Sequence, residues 1–209
     1  MIWRIVIPFK GAPSSKSRLS ARVDDVGRHA LAVAFLRDVV VAVGRASGVT
    51  GVTLVSSEPG LAGLFADEPG LAPVGIAPDP RHGLNGAVAH GIRAVRAADP
   101  AAHVAALLGD LPELTTAEVS GALAAAAGHP LSYVADAAGT GTTMITLGPG
   151  ATAEPHFGAG SAAAHEAAGF VRLDVPVGSG LRRDVDVPGD VDGIRQPGRY
   201  TAAVLVPLR

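Results

Sequence analysis

Cysteine is absent from the 209-residue chain. That excludes disulfides, thiolate metal sites and a cysteine nucleophile. Aromatic residues make up only 4%, so any core must be built mostly from Ala, Val and Leu. The charges nearly cancel, at a formal net of -2, which excludes a general electrostatic grip on nucleic acid or on anionic membranes. No apolar run approaches the roughly 20 residues needed to span a bilayer. The opening "MIWRIVIPFK" reads as a strand, without the apolar segment and small-residue cleavage site of a signal peptide. These absences predict a soluble, cytoplasmic protein. Lysine is scarce as well: only Lys10 and Lys16 occur, and both fall in one short loop.

What is present describes a folded domain. The hydrophobic fraction is 48% and the charged fraction only 17%, a balance typical of globular chains and not of disordered ones. Short β-like runs alternate with helical ones. "WRIVIPF", "VTGVTLVSS", "APVGIAP", "HVAALLGD", "LSYVAD", "TMITLG" and "FVRL" read as strands, and "YTAAVLV" as a last one. "DDVGRHALAVAFLRDVVVAVGRA", "LNGAVAHGIRAVRAAD" and "TTAEVSGALAAAAG" read as helices, with shorter ones near "GLAGLFAD", "SAAAHEAAG" and "PGDVDGI". Alternation of this kind predicts α/β architecture, a three-layer α/β/α sandwich around a mainly parallel mixed sheet. No linker or composition shift divides the chain, so residues 1–209 are expected to form a single domain.

The segment "SGLRRDVDVPGD" places Asp184 and Asp186 on either side of Val185. In an extended chain residues two apart point the same way, so both carboxylates would crowd one side and repel unless a cation lies between them. Asp110 follows the buried-looking run "VAALL", at a strand's carboxyl end, where open α/β sheets bind ligands. Three carboxylates without cysteine suit a hard cation, Mg²⁺ or Mn²⁺, better than zinc. The plainer alternatives are a turn aspartate at Asp110 and local pairing of Arg182 and Arg183 with the acids.

Other segments suit anions. "PFKGAPSSKSRLS" carries Lys10, Lys16 and Arg18 with no acid. It falls short of a Walker A loop, because no glycine directly precedes the lysine and the spacing is one residue short. A glycine- and serine-rich loop bearing cations still suits a triphosphate; a solvated basic loop is the alternative. "AAGTGTTM" offers hydroxyls and free amides, as would an ordinary hairpin. "FGAGSAAAH" places Gly158, Gly160 and Ser161 at a helix start, where unpaired amides favour an anion and where Ser161 could also be a plain N-cap. The seven histidines lack metal-ligand spacing, and only His165 is a weak candidate for the anion site.

Taken in order, "PFKGAPSSKSRLS", "GLNGAV", "GDLPEL", "VADAAGTGTTM", "FGAGSAAAH" and "LRRDVDVPGDV" resemble one family: the guanylyltransferases that make the phosphodiester part of deazaflavin coenzyme F₄₂₀. That family is similar to the molybdenum-cofactor guanylyltransferases and implies a nucleotide-diphospho-sugar transferase-like fold. It also implies coupling of GTP to phosphoenolpyruvate or 2-phospho-L-lactate, with release of pyrophosphate. On the matching positions the resemblance implies metal binding by Asp110, Asp184 and Asp186, and acceptor-acid binding by Thr143, Gly158 and Ser161. GTP would be held by Lys10, Lys16, Ser17 and Arg18, with Gly83 and Asn85 near the nucleobase. Lys16, Arg18 and Asp110 would act in the transfer itself, with one or two Mg²⁺ ions as cofactor and Mn²⁺ as the substitute. The expected partners are GTP and phosphoenolpyruvate, with homodimerisation and hand-over of a labile product to the next pathway enzyme as further options. The Ala- and Arg-rich composition points to an actinobacterial source, where phosphoenolpyruvate is the acceptor the resemblance implies. The chain lacks the glycine-rich arginine signature of sugar nucleotidyltransferases. A catalytically silent nucleotide-binding regulatory domain is the rival of another class.

Overall fold

The computed structural model describes residues 1–11, 24–186 and 188–206. In chain order the strands are β1 (Trp3–Pro8), β2 (Val49–Val55), β3 (Val74–Ala77), β4 (His103–Leu107), β5 (Leu131–Ala135), β6 (Thr142–Leu147) and β7 (Val171–Arg172). The α-helices are α1 (Asp25–Gly44), α2 (Gly83–Ala98), α3 (Thr116–Ala126), α4 (Ser161–Ala167), α5 (Pro188–Gly193) and α6 (Arg199–Leu205). Short 3-10 turns cover Leu61–Phe65 and Gly180–Arg182. The strands form one sheet in the order β3-β2-β1-β4-β6-β5-β7. Pairing is parallel except along β6, which runs against both β4 and β5.

Side-chain alternation along β1 builds the layers. Ile5 and Ile7 pack under α1 and α3 with Leu36, Val39, Val43, Val119 and Leu123. Val6, between them, faces the other way, against Val88, Ile92 and Val95 of α2. A strand buried on both faces reads as an unbroken apolar run, which is why "WRIVIP" and "HVAAL" are legible in the sequence. Helix starts follow local chemistry. The Asp24 carboxylate accepts the Gly27 amide at 2.8 Å ahead of α1, and Thr115 with Glu118 closes a capping box on α3. Among the described residues, no helix is long and apolar enough to cross a membrane.

The expected last strand, "YTAAVLV", is the helix α6. Its Tyr, Thr and Val content favours a strand by propensity, but packing overrides propensity here. The Asp38 carboxylate of α1 accepts the first-turn amides of Tyr200 and Thr201, at 3.0 and 2.8 Å. Burial pushes the Asp38 carboxyl above its ordinary range, although the bonds from Thr201 oppose this. The Arg37 guanidinium lies 3.6 Å from the Tyr200 ring centre. Leu205 then joins Leu31 and Phe35 of α1, with Val185 and Ile194, in a third apolar cluster.

β1 has β2 on one side and β4 on the other. The chain therefore winds outward in both directions from β1, and a crevice opens at the carboxyl ends of β1 and β4.

Candidate functional site

A cleft of about 520 Å³ occupies that crevice. Its floor is the end of β1, Pro8 to Lys10, and the turn Leu108–Gly109–Asp110 after β4. Asp136, the acids Asp184 and Asp186, Thr142 at the start of β6, and the loop Gly158 to Ser161 are among the other lining residues. Because β6 is antiparallel to β4, its amino end lies beside β4's carboxyl end. That reversal brings a threonine to an edge otherwise built from strand termini.

The acid wall is assembled from separate segments. Val185 is buried in the third cluster, and its amide donates to the Asp110 carbonyl at 3.1 Å. Its neighbours Asp184 and Asp186 thus turn to the cleft, Asp184 half-buried and Asp186 exposed. Burial first, then the carboxylates of Asp110 and Asp186, push the Asp184 carboxyl up to about 6; Asp136 pushes the same way. The neighbouring arginines have other partners. Arg182 is buried and donates to the carbonyls of Ala135, Asp136 and Val175. Arg183 pairs with Glu113 at 3.1 Å and donates to the Gly193 carbonyl.

The turn before the acids is pinned on several sides. The Glu118 carboxylate accepts the Gly180 amide at 2.8 Å, and a Cβ on Gly180 would run into the Glu113 carbonyl. The Thr143 hydroxyl donates to the Leu181 carbonyl at 2.6 Å.

The Gly158–Ser161 part of the lining is small and uncharged. Gly158 has φ 125°, lines the cleft, and has open space where a Cβ would stand. Gly160, at φ 71°, is the N-cap of α4. Ser161 is therefore the first helical residue and not the cap. The leading amides of α4 are already bonded, Ser161 to the Gly158 carbonyl and Ala162 to that of Thr140, each at 3.1 Å. The expectation of unpaired amides there gives way to a different feature: the buried Ser161 hydroxyl, which lines the cleft and has no partner.

The residues singled out from sequence divide accordingly. Asp110, Asp184 and Asp186 line one cleft with Gly158, Ser161 and Lys10. They are not drawn into a closed shell, since among the described residues no three His, Asp or Glu side chains stand in metal-holding geometry. Thr143 is fully buried and does not line the cleft; Thr142 does. The Asn85 side chain makes two bonds to Phe157, donating to its carbonyl at 3.0 Å and accepting its amide at 2.7 Å. Its amide thus holds the 157–161 loop. Gly83 starts α2 at φ 77° and lies off the cleft lining, which its neighbour Leu84 joins. Lys16, Ser17 and Arg18 lie outside the described residues.

Sequence reasoning missed Asp136 and Thr142. Asp136 follows the buried run of β5 just as Asp110 follows that of β4, so the same signal was available. Thr142 and Thr143 are adjacent on β6 and face opposite sides; which one faces the cleft is decided by the packing of β6.

A family model described as "Guanylyl transferase CofC like" matches residues 3–187. The chain is 42% identical over 199 residues to the phosphoenolpyruvate guanylyltransferase of Streptomyces coelicolor, covering 91% of this chain and 89% of that one. Among solved structures it is similar in fold to a candidate nucleotide-diphospho-sugar transferase from Desulfovibrio desulfuricans G20. There the TM-score is 0.69 at 17% identity, over 99% of this chain and 95% of the other. A Mycobacterium tuberculosis H37Rv protein solved in complex with manganese is similar at TM-score 0.50 and 18% identity, over 92% and 96% of the two chains.

Proposed function

Since the chain belongs to the CofC-like guanylyl transferase family, we propose that it couples GTP to phosphoenolpyruvate, giving enolpyruvoyl-2-diphospho-5'-guanosine and pyrophosphate. One observation carries the reading: carboxylates and small neutral residues line the same cleft at the sheet's switch point. The first suits a metal–triphosphate and the second a compact phosphorylated acid.

The acceptor's phosphate is its own nucleophile. A phosphate monoester's second pKa is near ~6, so at neutral pH it is largely dianionic. One of its oxygens forms a bond to the α-phosphorus of GTP. The bond from that phosphorus to the bridging oxygen breaks, and pyrophosphate leaves with the electron pair. No general base is needed. The protein's task is alignment and charge neutralisation.

On the acceptor side, Ser161 and Thr142 offer hydroxyls, and Gly158 leaves room for the acid to approach. On the nucleotide side Lys10 stands at the cleft, and Lys16, Ser17 and Arg18 are assigned to the GTP phosphates from sequence. Thr143 supports the acid-bearing segment through Leu181, and Asn85 supports the glycine loop through Phe157. The donor set fits a hard divalent cation: oxygen ligands, crowded enough that Asp110 and Asp186 raise the Asp184 carboxyl after burial has done so. Asp110, Asp184 and Asp186 would hold Mg²⁺, whose contribution is to neutralise charge on the transferring phosphates.

The test is a product screen. Purified protein is incubated with GTP, MgCl₂ and either phosphoenolpyruvate or 2-phospho-L-lactate, and products are identified by mass. The expected result is pyrophosphate release and a guanylylated product with phosphoenolpyruvate. Turnover of 2-phospho-L-lactate alone reassigns the acceptor; turnover of neither overturns the reading.

A further inference from the structure

His165 lies in α4 directly behind the acceptor wall and is fully buried. Its ring sits in an aromatic box, with the Phe170, His156, Phe157 and Tyr133 ring centres between 5.0 and 5.9 Å away. Both ring nitrogens are occupied. Nε2 is 3.0 Å from the backbone amide of His156, and Nδ1 is 3.0 Å from the Thr142 hydroxyl.

A backbone amide can only donate, so Nε2 must present its lone pair. The neutral ring then carries its proton on Nδ1. Burial first, and then His156, hold the imidazole far below its usual range, at about 4, against an opposing bond to the Ser161 backbone that the Nδ1 proton shares with Thr142, so the neutral form prevails at physiological pH. With a proton on Nδ1, the Thr142 oxygen can only accept from His165. Its own hydrogen has to point elsewhere, and Thr142 lines the cleft.

We infer that His165 is a positioning residue that fixes the Thr142 hydroxyl as a hydrogen-bond donor toward an anionic oxygen of the acceptor. The inference rests on the acceptor assignment above. It also explains a buried histidine that the transfer chemistry does not use. A valine at 142, or a 165 side chain that accepts where Nδ1 donates, would weaken one face of the site and leave the nucleotide face alone.

Two measurements test it. The tautomer is read on the wild-type protein by long-range ¹⁵N–¹H NMR of labelled histidine at neutral pH. Nδ1–H is expected; Nε2–H overturns the inference whatever the substrate proves to be. Initial rates are then measured for Thr142→Val, Thr142→Ser, His165→Gln and the Thr142→Val/His165→Gln double variant. The Gln amide can reach the His156 amide but not Thr142. Both single losses should raise the phosphoenolpyruvate KM several-fold with the GTP KM unchanged, Thr142→Ser should restore it, and the double variant should be no worse than Thr142→Val. Additive effects, or an equal rise in the GTP KM, would reduce His165 to a packing residue. If phosphoenolpyruvate gives no wild-type product while the tautomer is Nδ1–H, the acceptor assignment fails and the hydrogen-bond geometry stands.

Discussion

The two walls of the cleft are built on opposite principles. The acid wall draws Asp110, Asp184 and Asp186 from two distant parts of the chain, and burial and mutual repulsion raise the Asp184 carboxyl to about 6. It is held from behind by an apolar anchor, Val185, and by a turn pinned through Glu118 and Thr143. The glycine side has no charge; the Ser161 and Thr142 hydroxyls there are buried, and Gly158 and Gly160 stand at positive φ. Charge can be assembled at a partly solvated edge provided a cation relieves it. Fine steric and hydrogen-bond selection instead needs rigid, desolvated backing.

The comparison is broken most severely on the acid side. Asp186→Asn should lower turnover roughly 100-fold or more, since metal neutralisation of phosphoryl charge is worth several kcal/mol. The substitution is nearly isosteric at an exposed position, so the thermal midpoint should hold. Near-wild-type rates with Mg²⁺ would remove Asp186 from the ligand set.

The neutral wall should instead show itself in acid. His165 takes a proton at about 4 in the folded protein against an ordinary value of 6.5, so below 6.5 the unfolded chain binds a proton that the fold refuses. Stability from this residue is therefore complete above pH 6.5 and is lost as pH falls toward 4, by on the order of 2 to 3 kcal/mol. Denaturant midpoints across that range should fall less steeply for His165→Asn than for wild type. Parallel slopes would show that the imidazole is not held neutral.

Gly158→Val adds a side chain where the cleft is open and forces a β-branched residue to φ 125°. Such strain alone costs about 1–3 kcal/mol. The phosphoenolpyruvate KM should rise at least about tenfold, with the GTP KM little changed. If both rise equally, the two walls do not divide the substrates.

Thr143→Val sharpens the distinction between adjacent residues. It strands the buried Leu181 carbonyl, at a cost of about 1–3 kcal/mol, so the thermal midpoint and kcat should drop while the acceptor KM stays put. An acceptor KM that rises without any loss of stability would return Thr143 to the acceptor. Ser161→Ala is the mildest change. One neutral hydrogen bond is worth about 0.5–1.5 kcal/mol, which predicts a several-fold rise in the phosphoenolpyruvate KM, checked by pyrophosphate release at saturating GTP.

Much of this molecule is legible along the chain. Central strands buried on both faces announce themselves as apolar runs, and capping residues such as Asp24 and Thr115 mark helix starts. The spacing of Asp184 and Asp186 places both on one side of the chain, and both line the cleft. Where reading failed, a long-range partner had the decision. "YTAAVLV" has strand composition but meets Asp38 from 162 residues away, and its docked amides settle it as α6. The alternative of Ser161 as a plain N-cap gives way to Gly160, which holds that position.

Periodicity and composition therefore determined the alternation of strands and helices and the mainly parallel sheet, because those follow from local preference and from the side-chain period. Only the tertiary structure decided which of two neighbouring threonines faces the cleft, that Asp136 joins the acids, and that Arg182 and Arg183 serve the fold. A period of two says that Thr142 and Thr143 point apart; it cannot say which side holds the cleft, because that is fixed by the strands and helices packed against β6.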